Sequence, residues 1–147
     1  MLTTFKATAK KTASGLQVET GTRGFSITFD EPENLGGTNT GMNPVEGVLC
    51  ALGACQSIVC AAFAKAQNFK YDEFWIELEG DLDPRGYMGL SNCRNGFQEI
   101  RFSHHFKTDE PQEKVNAFSD YIEAHCPVGD NLANGVKLVR TASVIEH

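Results

Sequence analysis

Residues 43–64 read NPVEGVLCALGACQSIVCAAFA, and this apolar run is the most distinctive segment of the 147-residue chain. The run opens with a complete set of helix-start signals. Asn43 suits the N-cap, Pro44 suits the first helical position, and Glu46 can fold back onto the cap. The segment therefore predicts a helix that starts here. Gly53 lowers the helix propensity, which predicts that another backbone packs closely against the helix at that point.

The predicted helix is apolar on almost every side, since only Gln56 and Ser57 carry polar side chains between residues 48 and 64. A helix of this kind is buried on most of its faces. One sheet and one amphipathic helix cannot cover it, so the sequence predicts an obligate homodimer in which two such helices meet at the centre. A transmembrane span is the alternative, because residues 45–66 approach the roughly 20 that a span needs. Polar interruptions and a composition rich in Ala, Cys and Gly argue against a membrane.

Alternating apolar and polar residues predict strands before and after this helix. The first thirty residues predict an antiparallel meander of three strands. A loop rich in Gly follows over residues 30–41, where there is almost nothing to bury. After the helix, alternation over residues 74–78 and again over 100–106 predicts a hairpin.

The rest of the chain predicts one more helix and one more strand. Thr108 or Asp109 is expected to cap an amphipathic helix whose apolar face spans residues 115–125. Alternation over residues 136–144 predicts a closing strand. The order β-β-β-α-β-β-α-β gives an α+β fold with antiparallel sheets around a buried central helix, in a single domain over residues 1–147.

The charge balance argues against nucleic acid and anionic membrane surfaces as partners. Lys and Arg total 13 against 19 Asp and Glu, a formal net charge of −6, so polyanions repel the chain on average. The first six residues lack the basic flank and apolar run of a signal peptide, which predicts a cytoplasmic protein.

The five cysteines are an odd number, which predicts reduced thiols rather than a disulfide framework. None forms a C-x-x-C pair or zinc-finger spacing, so no metal is expected. Cys50, Cys55 and Cys60 recur every five residues, which turns each about 140° from the last and points them to three faces of the helix. On spacing alone, Cys55 reads as a small core residue.

Cys126 differs from the others because it follows a helix and precedes Pro127. Residues 128–130 can open a new helical turn after it. Its side chain is then either a simple cap or a thiol that the helix dipole biases toward thiolate.

Two stretches resemble the signature regions of a known superfamily. The first is GMNPVE at residues 41–46, leading into ALGAC at 51–55, and the second is HCPV at 125–128. These motifs, the gap of 71 residues between Cys55 and Cys126 and the strand–helix order are similar to those of the OsmC/Ohr superfamily, the osmotically inducible and organic hydroperoxide resistance proteins. The resemblance implies an intertwined homodimer of α+β subunits, a peroxide-reducing thiol at Cys55 and a resolving thiol at Cys126.

The function that this resemblance implies is a thiol-dependent peroxidase in oxidative stress defence. Its substrates are small organic hydroperoxides or hydrogen peroxide, it holds no bound cofactor, and an external thiol or dithiol returns it to the reduced state. The alternative is a dimeric binding protein that holds a small apolar or thiol-reactive metabolite without turnover.

The alternative arises because two activating groups of the organic hydroperoxide enzymes are not matched here. Those enzymes share an arginine in the first hairpin and a glutamate directly after the Asn-Pro pair. In this chain the first turn reads KKTASG at residues 10–15, and Val45 occupies the position of the glutamate. Glu46 lies one residue later, about 100° around the helix, and is either a capping-box carboxylate or a polar contact at the pocket. Arg23, in the second turn, is either a substitute cation or a solvated turn residue.

Overall fold

The computed structural model describes residues 1–90 and 92–147 of the chain. These residues form two compact units, 1–50 and 51–147, and one long helix runs through the boundary between them. The fold is α+β, as the sequence predicts, with one antiparallel sheet in each unit. That the whole chain acts as one domain stays a prediction.

The first unit contains the predicted three-stranded meander. Its strands are β1 (Thr8–Lys11), β2 (Val18–Thr22) and β3 (Phe25–Phe29). They pair antiparallel in the order β1-β2-β3, so each strand neighbours the next along the chain. The alternation of the sequence therefore predicts the number and order of these strands correctly.

The loop after β3 is held by one buried carboxylate. Asp30 is 2% exposed, and its oxygens accept hydrogen bonds from the hydroxyls of Thr38 and Thr40, each at 2.6 Å. A one-turn 3₁₀ helix, Glu33–Leu35, lies inside the loop. Gly41 has no room for a side chain, because a Cβ there would lie 2.2 Å from a backbone carbonyl oxygen of β3. The loop thus returns closely along β3 and leads into the long helix.

Helix α1 spans Pro44–Phe63 and begins as predicted. The Glu46 amide donates to Asn43 Oδ1 at 2.8 Å, and the Asn43 amide donates to Glu46 Oε1 at 2.9 Å. This reciprocal pair is a capping box, which satisfies two backbone donors that a helix end otherwise leaves without partners.

The second unit carries the rest of α1 and five further elements: β4 (Glu73–Leu82), α2 (Pro84–Tyr87), β5 (Phe97–Lys107), α3 (Gln112–Ala124) and α4 (Pro127–Asn134). Strands β4 and β5 form the predicted antiparallel hairpin, with Phe74 opposite Phe106 and Leu78 opposite Phe102. The apolar members of the alternation thus share one face of the hairpin.

The core of this unit lies between α1, α3 and the inner face of the hairpin. Its buried members are Val59, Cys60, Ala64, Phe69, Phe118 and Ile122. Gly53 allows the close contact that its sequence predicts, but with side chains rather than another backbone. A Cβ at Gly53 would lie 2.9 Å from Leu78 Cδ1 and 3.3 Å from Ile76 Cγ2.

Burial of α1 within the chain is less complete than the sequence predicts. Its buried residues are Leu52, Gly53, Gln56, Val59 and Cys60, all on one side. The opposite side is open, and Ile58 there is 68% exposed. The reason is that one hairpin and α3 can cover only one side of a helix. By length and composition α1 is apolar enough to cross a membrane, a property that it shares with core helices of water-soluble proteins.

Two predictions about the C-terminal part are wrong in detail. Helix α3 takes Pro111 as its N-cap, not Thr108 or Asp109, because the Thr108 hydroxyl accepts from the Glu110 amide in a turn before the helix. The closing strand over residues 136–144, the last β of the predicted order, is not formed. No backbone of the described residues pairs with this segment, and a strand needs such a partner.

Candidate functional site

Cys55 lies in the third turn of α1, on the border between its covered and open sides. The three cysteines of this helix differ in exposure as their five-residue spacing predicts: Cys50 is exposed, Cys55 is half-buried and Cys60 is buried. Only Cys55 therefore combines access from outside with contact to the core of its unit.

Cys126 is placed by the break between α3 and α4. It has extended backbone angles and is the N-cap of α4, with Pro127 at the first helical position. Its sulfur accepts a hydrogen bond from the Gly129 amide at 3.2 Å. The expected helical turn after Cys126 is thus present, and the thiol does cap it.

The fold brings Cys55 and Cys126 close together, although 71 residues separate them in the chain. The two side chains are near enough that Cys55 raises the pKa of the Cys126 thiol. Leu52 lies one turn before Cys55 in α1. A Cβ at Gly129 would lie 3.7 Å from Leu52 Cδ1 and 3.4 Å from the Cys126 sulfur. The first turn of α4 therefore packs directly over this part of α1.

The surroundings of Cys126 favour its neutral thiol. Burial raises its pKa above the ordinary value, and the neighbouring Cys55 raises it further. The amides of Gly129 and Val128 act in the opposite direction but are outweighed. Of the two interpretations of Cys126, the cap is present, and the bias toward thiolate is opposed by desolvation, which exceeds the effect of the two amides. Among the described residues, no basic side chain contributes to this shift.

A chain of hydrogen bonds crosses the core one residue away from Cys55. Gln56 is 2% exposed, and its Oε1 lies 2.6 Å from His104 Nε2 on β5. His104 Nδ1 in turn lies 2.8 Å from Ser119 Oγ on α3. These hydrogen bonds are not among the predictions from the sequence, which nevertheless contains two signals of them: a polar residue, Gln56, in the apolar run 43–64, and a histidine, His104, at an inward position of β5.

The other two residues singled out from the sequence lie in the unit 1–50. Glu46 forms the capping box described above, so the first of its two interpretations is confirmed and a pocket contact stays a prediction. Arg23 adopts a positive φ of 52° in the turn before β3, and its guanidinium lies 5.2 Å from the centre of the Phe25 ring. This is the geometry of a turn residue. The role of Arg23 as a cation for Cys55 also stays a prediction.

Within residues 1–90 and 92–147, no three His, Cys, Asp or Glu side chains are grouped to hold a metal ion. Cys60 is fully buried near Tyr71, and burial raises the pKa of its thiol. Cys60 is thus shielded and neutral, and Cys55 and Cys126 are the candidate reactive pair because the fold brings these two side chains close together.

Comparison with known proteins places this site in a family. The profile of the OsmC-like protein family matches residues 37–139, which include both cysteines. The chain belongs to the OsmC-like protein family. The family assignment agrees with the motifs at residues 41–55 and 125–128.

Several known proteins are similar to this chain in sequence or in fold. A protein of Mycoplasma genitalium named hydroperoxide reductase is 26% identical over 112 residues, which cover 74% of this chain and 72% of the relative. The crystal structure of an OsmC-like protein from Mycoplasma pneumoniae superposes with a TM-score of 0.79 at 20% identity, covering 90% of this chain and 89% of the other. An organic hydroperoxide resistance protein OsmC from Legionella pneumophila superposes with a TM-score of 0.68 at 20% identity, covering 92% and 93%.

Proposed function

We propose that this OsmC-like protein is a cysteine-based peroxidase that reduces organic hydroperoxides or hydrogen peroxide, with Cys55 attacking and Cys126 resolving. The observation that carries the proposal is the proximity of these two thiols inside the unit 51–147, with Cys126 at the start of α4 packed over the part of α1 that carries Cys55. The similarity to a protein of M. genitalium named hydroperoxide reductase supports the choice of substrate.

Exposure favours Cys55 as the attacking sulfur. Cys55 is half-buried, whereas Cys126 is 3% exposed. The raised pKa of Cys126 keeps that sulfur protonated at neutral pH, and the thiolate is the nucleophilic form of cysteine. A hydroperoxide therefore meets Cys55 first.

The proposed reaction proceeds in two steps. The Cys55 thiolate attacks the outer oxygen of the hydroperoxide, the O–O bond breaks, and the alcohol leaves after taking up a proton. Cys55 is now a sulfenic acid. The Cys126 sulfur attacks it, loses its proton and displaces water, which leaves a disulfide between the two residues. The Gly129 amide, which already donates to this sulfur, stabilises the negative charge that the sulfur carries once it has lost its proton.

An external thiol or dithiol completes the cycle by two exchange steps. Its first sulfur attacks the accessible Cys55, the S–S bond breaks, and Cys126 leaves as the thiolate. A second thiol then releases Cys55. In sum, one hydroperoxide and two thiol groups give one alcohol, one water and one disulfide of the reductant, with no bound cofactor or metal in the proposal.

We also propose that the protein works as a homodimer in the cytoplasm. The side of α1 that the chain leaves open is apolar and includes Ala51, Ala54 and Ile58. A second copy covers such a face with the same residues in a two-fold arrangement. Each of the five cysteines lies in the described part of the chain, and none is in a disulfide, which suits a compartment that keeps thiols reduced.

Thiol titration with cumene hydroperoxide tests the peroxidase proposal. The reduced protein is expected to lose two thiols per chain, and peptide mapping should place the new disulfide between Cys55 and Cys126. Cys126→Ser should stop at a sulfenic acid on Cys55 that dimedone traps, and Cys55→Ser should lose no thiol rapidly. Cys50→Ser, which replaces an exposed cysteine of the same helix, is the matched control and should behave as the wild type.

Two results contradict the proposal. Turnover that persists in Cys55→Ser removes the assigned nucleophile. A protein that keeps Cys55 unmodified under peroxide, and carries a stoichiometric small molecule in native mass spectrometry, is the binding protein that the sequence left as the alternative.

A further inference from the structure

We propose that the hydrogen-bonded chain Gln56–His104–Ser119 is a positioning device that holds Cys55 against Cys126 and thereby sets the reduction potential of this pair. The inference rests on the proposed function, since it concerns the disulfide that the peroxidase cycle forms. It assigns a role to three residues that do not touch the reacting sulfurs.

The geometry defines which atoms donate in this chain. Gln56 Oε1 can only accept, so His104 Nε2 carries the proton and donates at 2.6 Å. Burial lowers the pKa of His104, which keeps the ring neutral. The other ring nitrogen, Nδ1, therefore accepts from the Ser119 hydroxyl at 2.8 Å. Each polar atom of the imidazole is satisfied by one neighbouring helix.

The hydrogen bonds of Gln56, His104 and Ser119 connect the helix that carries Cys55 with the helix that precedes Cys126. Gln56 follows Cys55 directly in α1. Ser119 lies five residues, about one and a half turns, before the C-terminal end of α3, and that end leads through His125 to Cys126. His104, in the C-terminal half of β5, lies between Gln56 and Ser119. Rotation of α1 or sliding of α3 therefore breaks these hydrogen bonds and moves one sulfur away from the other.

The surroundings make the chain costly to rearrange. Three phenylalanine rings, Phe74, Phe102 and Phe106, lie 5.4 to 6.1 Å from the His104 ring, and none of them offers a replacement partner. A buried polar group that loses its partner costs more than the hydrogen bond is worth in water. The apolar core thus favours the one arrangement of α1 and α3 in which both hydrogen bonds of His104 are formed.

Such positioning changes the stability of the disulfide. Two thiols that are held in bonding geometry have a higher effective concentration toward each other than two mobile thiols have. The higher effective concentration stabilises their disulfide. Loss of the hydrogen bonds between Gln56, His104 and Ser119 should therefore make the Cys55–Cys126 disulfide easier to reduce. A neutral hydrogen bond of ordinary strength predicts a change of about three- to tenfold in the equilibrium constant, and tenfold corresponds to about 30 mV for a two-electron couple.

A titration against reduced and oxidised glutathione measures this equilibrium, in which one protein disulfide and two glutathiones give one protein dithiol and one glutathione disulfide. Samples are quenched with N-ethylmaleimide, and peptide mapping reports the reduced fraction of Cys55 and Cys126. The test variants are Gln56→Met, which keeps the length of the side chain without its amide, and Ser119→Ala. Ser119→Thr keeps a hydroxyl and should restore the wild-type value.

Two controls separate positioning from a general loss of stability. Ser103→Ala removes a serine that lies 2.8 Å from His105 Nε2 on the outer face of the same strand, and should leave the potential unchanged. Asp30→Asn weakens the loop of the unit 1–50, away from α3 and β5, by removing a carboxylate that accepts from Thr38 and Thr40. It should lower the melting temperature and leave the potential unchanged.

The outcomes are distinguishable. A shift of three- to tenfold in Gln56→Met and Ser119→Ala, absent from Ser119→Thr and both controls, supports the positioning role. An unchanged equilibrium in both test variants overturns it, even where their melting temperatures fall. If Gln56→Met does not fold, the Ser119→Ala and Ser119→Thr pair decides alone. Failure of the wild type to form the Cys55–Cys126 disulfide rejects the two-cysteine mechanism itself, and this inference with it.

Discussion

Asp30 shows how one side chain can organise a loop that buries little apolar surface. The hydroxyls of Thr38 and Thr40 lower the pKa of its carboxyl far below the usual range, and the amides of Glu31 and Thr40 lower it further. These donors all favour the ionised form. The loop that leads from β3 to α1 thus depends on a carboxylate rather than on apolar packing.

This dependence predicts how stability changes with pH. Because the pKa of Asp30 is lower in the folded than in the unfolded state, the stability that it contributes is present above about pH 4 and is lost as the pH falls through the folded value. Asp30→Asn should therefore be less stable than the wild type at pH 6, with the gap narrowing toward pH 3. Urea unfolding at both pH values measures this. A gap that does not narrow, or an equal effect from Glu33→Gln on the exposed part of the loop, contradicts the prediction.

At the scale of elements, the first turn of α1 is specified by its own sequence. The Asn43 and Glu46 side chains bond to each other's amides across three residues, so no distant contact is needed to place the helix start. Helix α1 therefore begins at Pro44 whatever covers its later turns.

Two substitutions in this turn separate capping from chemistry. Asn43→Ala removes one half of the capping box and should lower the free energy of unfolding by about 1 kcal/mol. Glu46→Gln retains an oxygen that can accept from the Asn43 amide, so its unfolding free energy should stay within about 0.5 kcal/mol of the wild type. Chemical unfolding and peroxidase turnover are measured on both variants. A fall in turnover in a fully stable Glu46→Gln would assign Glu46 to the pocket, and unchanged turnover would leave it as a cap alone.

The elements that the sequence predicts correctly are those whose signals are local. The alternation of apolar and polar residues within β4 and within β5 acts over a few residues, as does the break at Pro127, and both predictions are confirmed. What the sequence could not predict depends on partners far along the chain. The link from Gln56 to His104 spans 48 residues, and the raised pKa of Cys126 arises from burial that only the folded unit creates.

At the scale of the whole molecule, the C-terminal segment is also without a pairing partner among the described residues. Residues 136–144 alternate as a strand does, yet they lie unpaired in one chain, with Leu138 89% and Val144 73% exposed. Ile58 on the open side of α1 is 68% exposed. In the proposed dimer, the second copy supplies the surface that buries these apolar side chains.

The dimer proposal predicts a specific effect at the open side of α1. Burial of an isoleucine contributes about 1.5–3 kcal/mol, and a two-fold interface contains Ile58 from each copy, so Ile58→Asp should weaken association by more than a hundredfold. Sedimentation velocity over a range of protein concentrations measures this, with circular dichroism to confirm that the variant is folded. Tyr87→Asp introduces the same charge at an 81% exposed apolar residue of α2 and should leave the dimer intact. A wild-type protein that sediments as a monomer at micromolar concentration, or that requires detergent because α1 enters a membrane, contradicts the proposal.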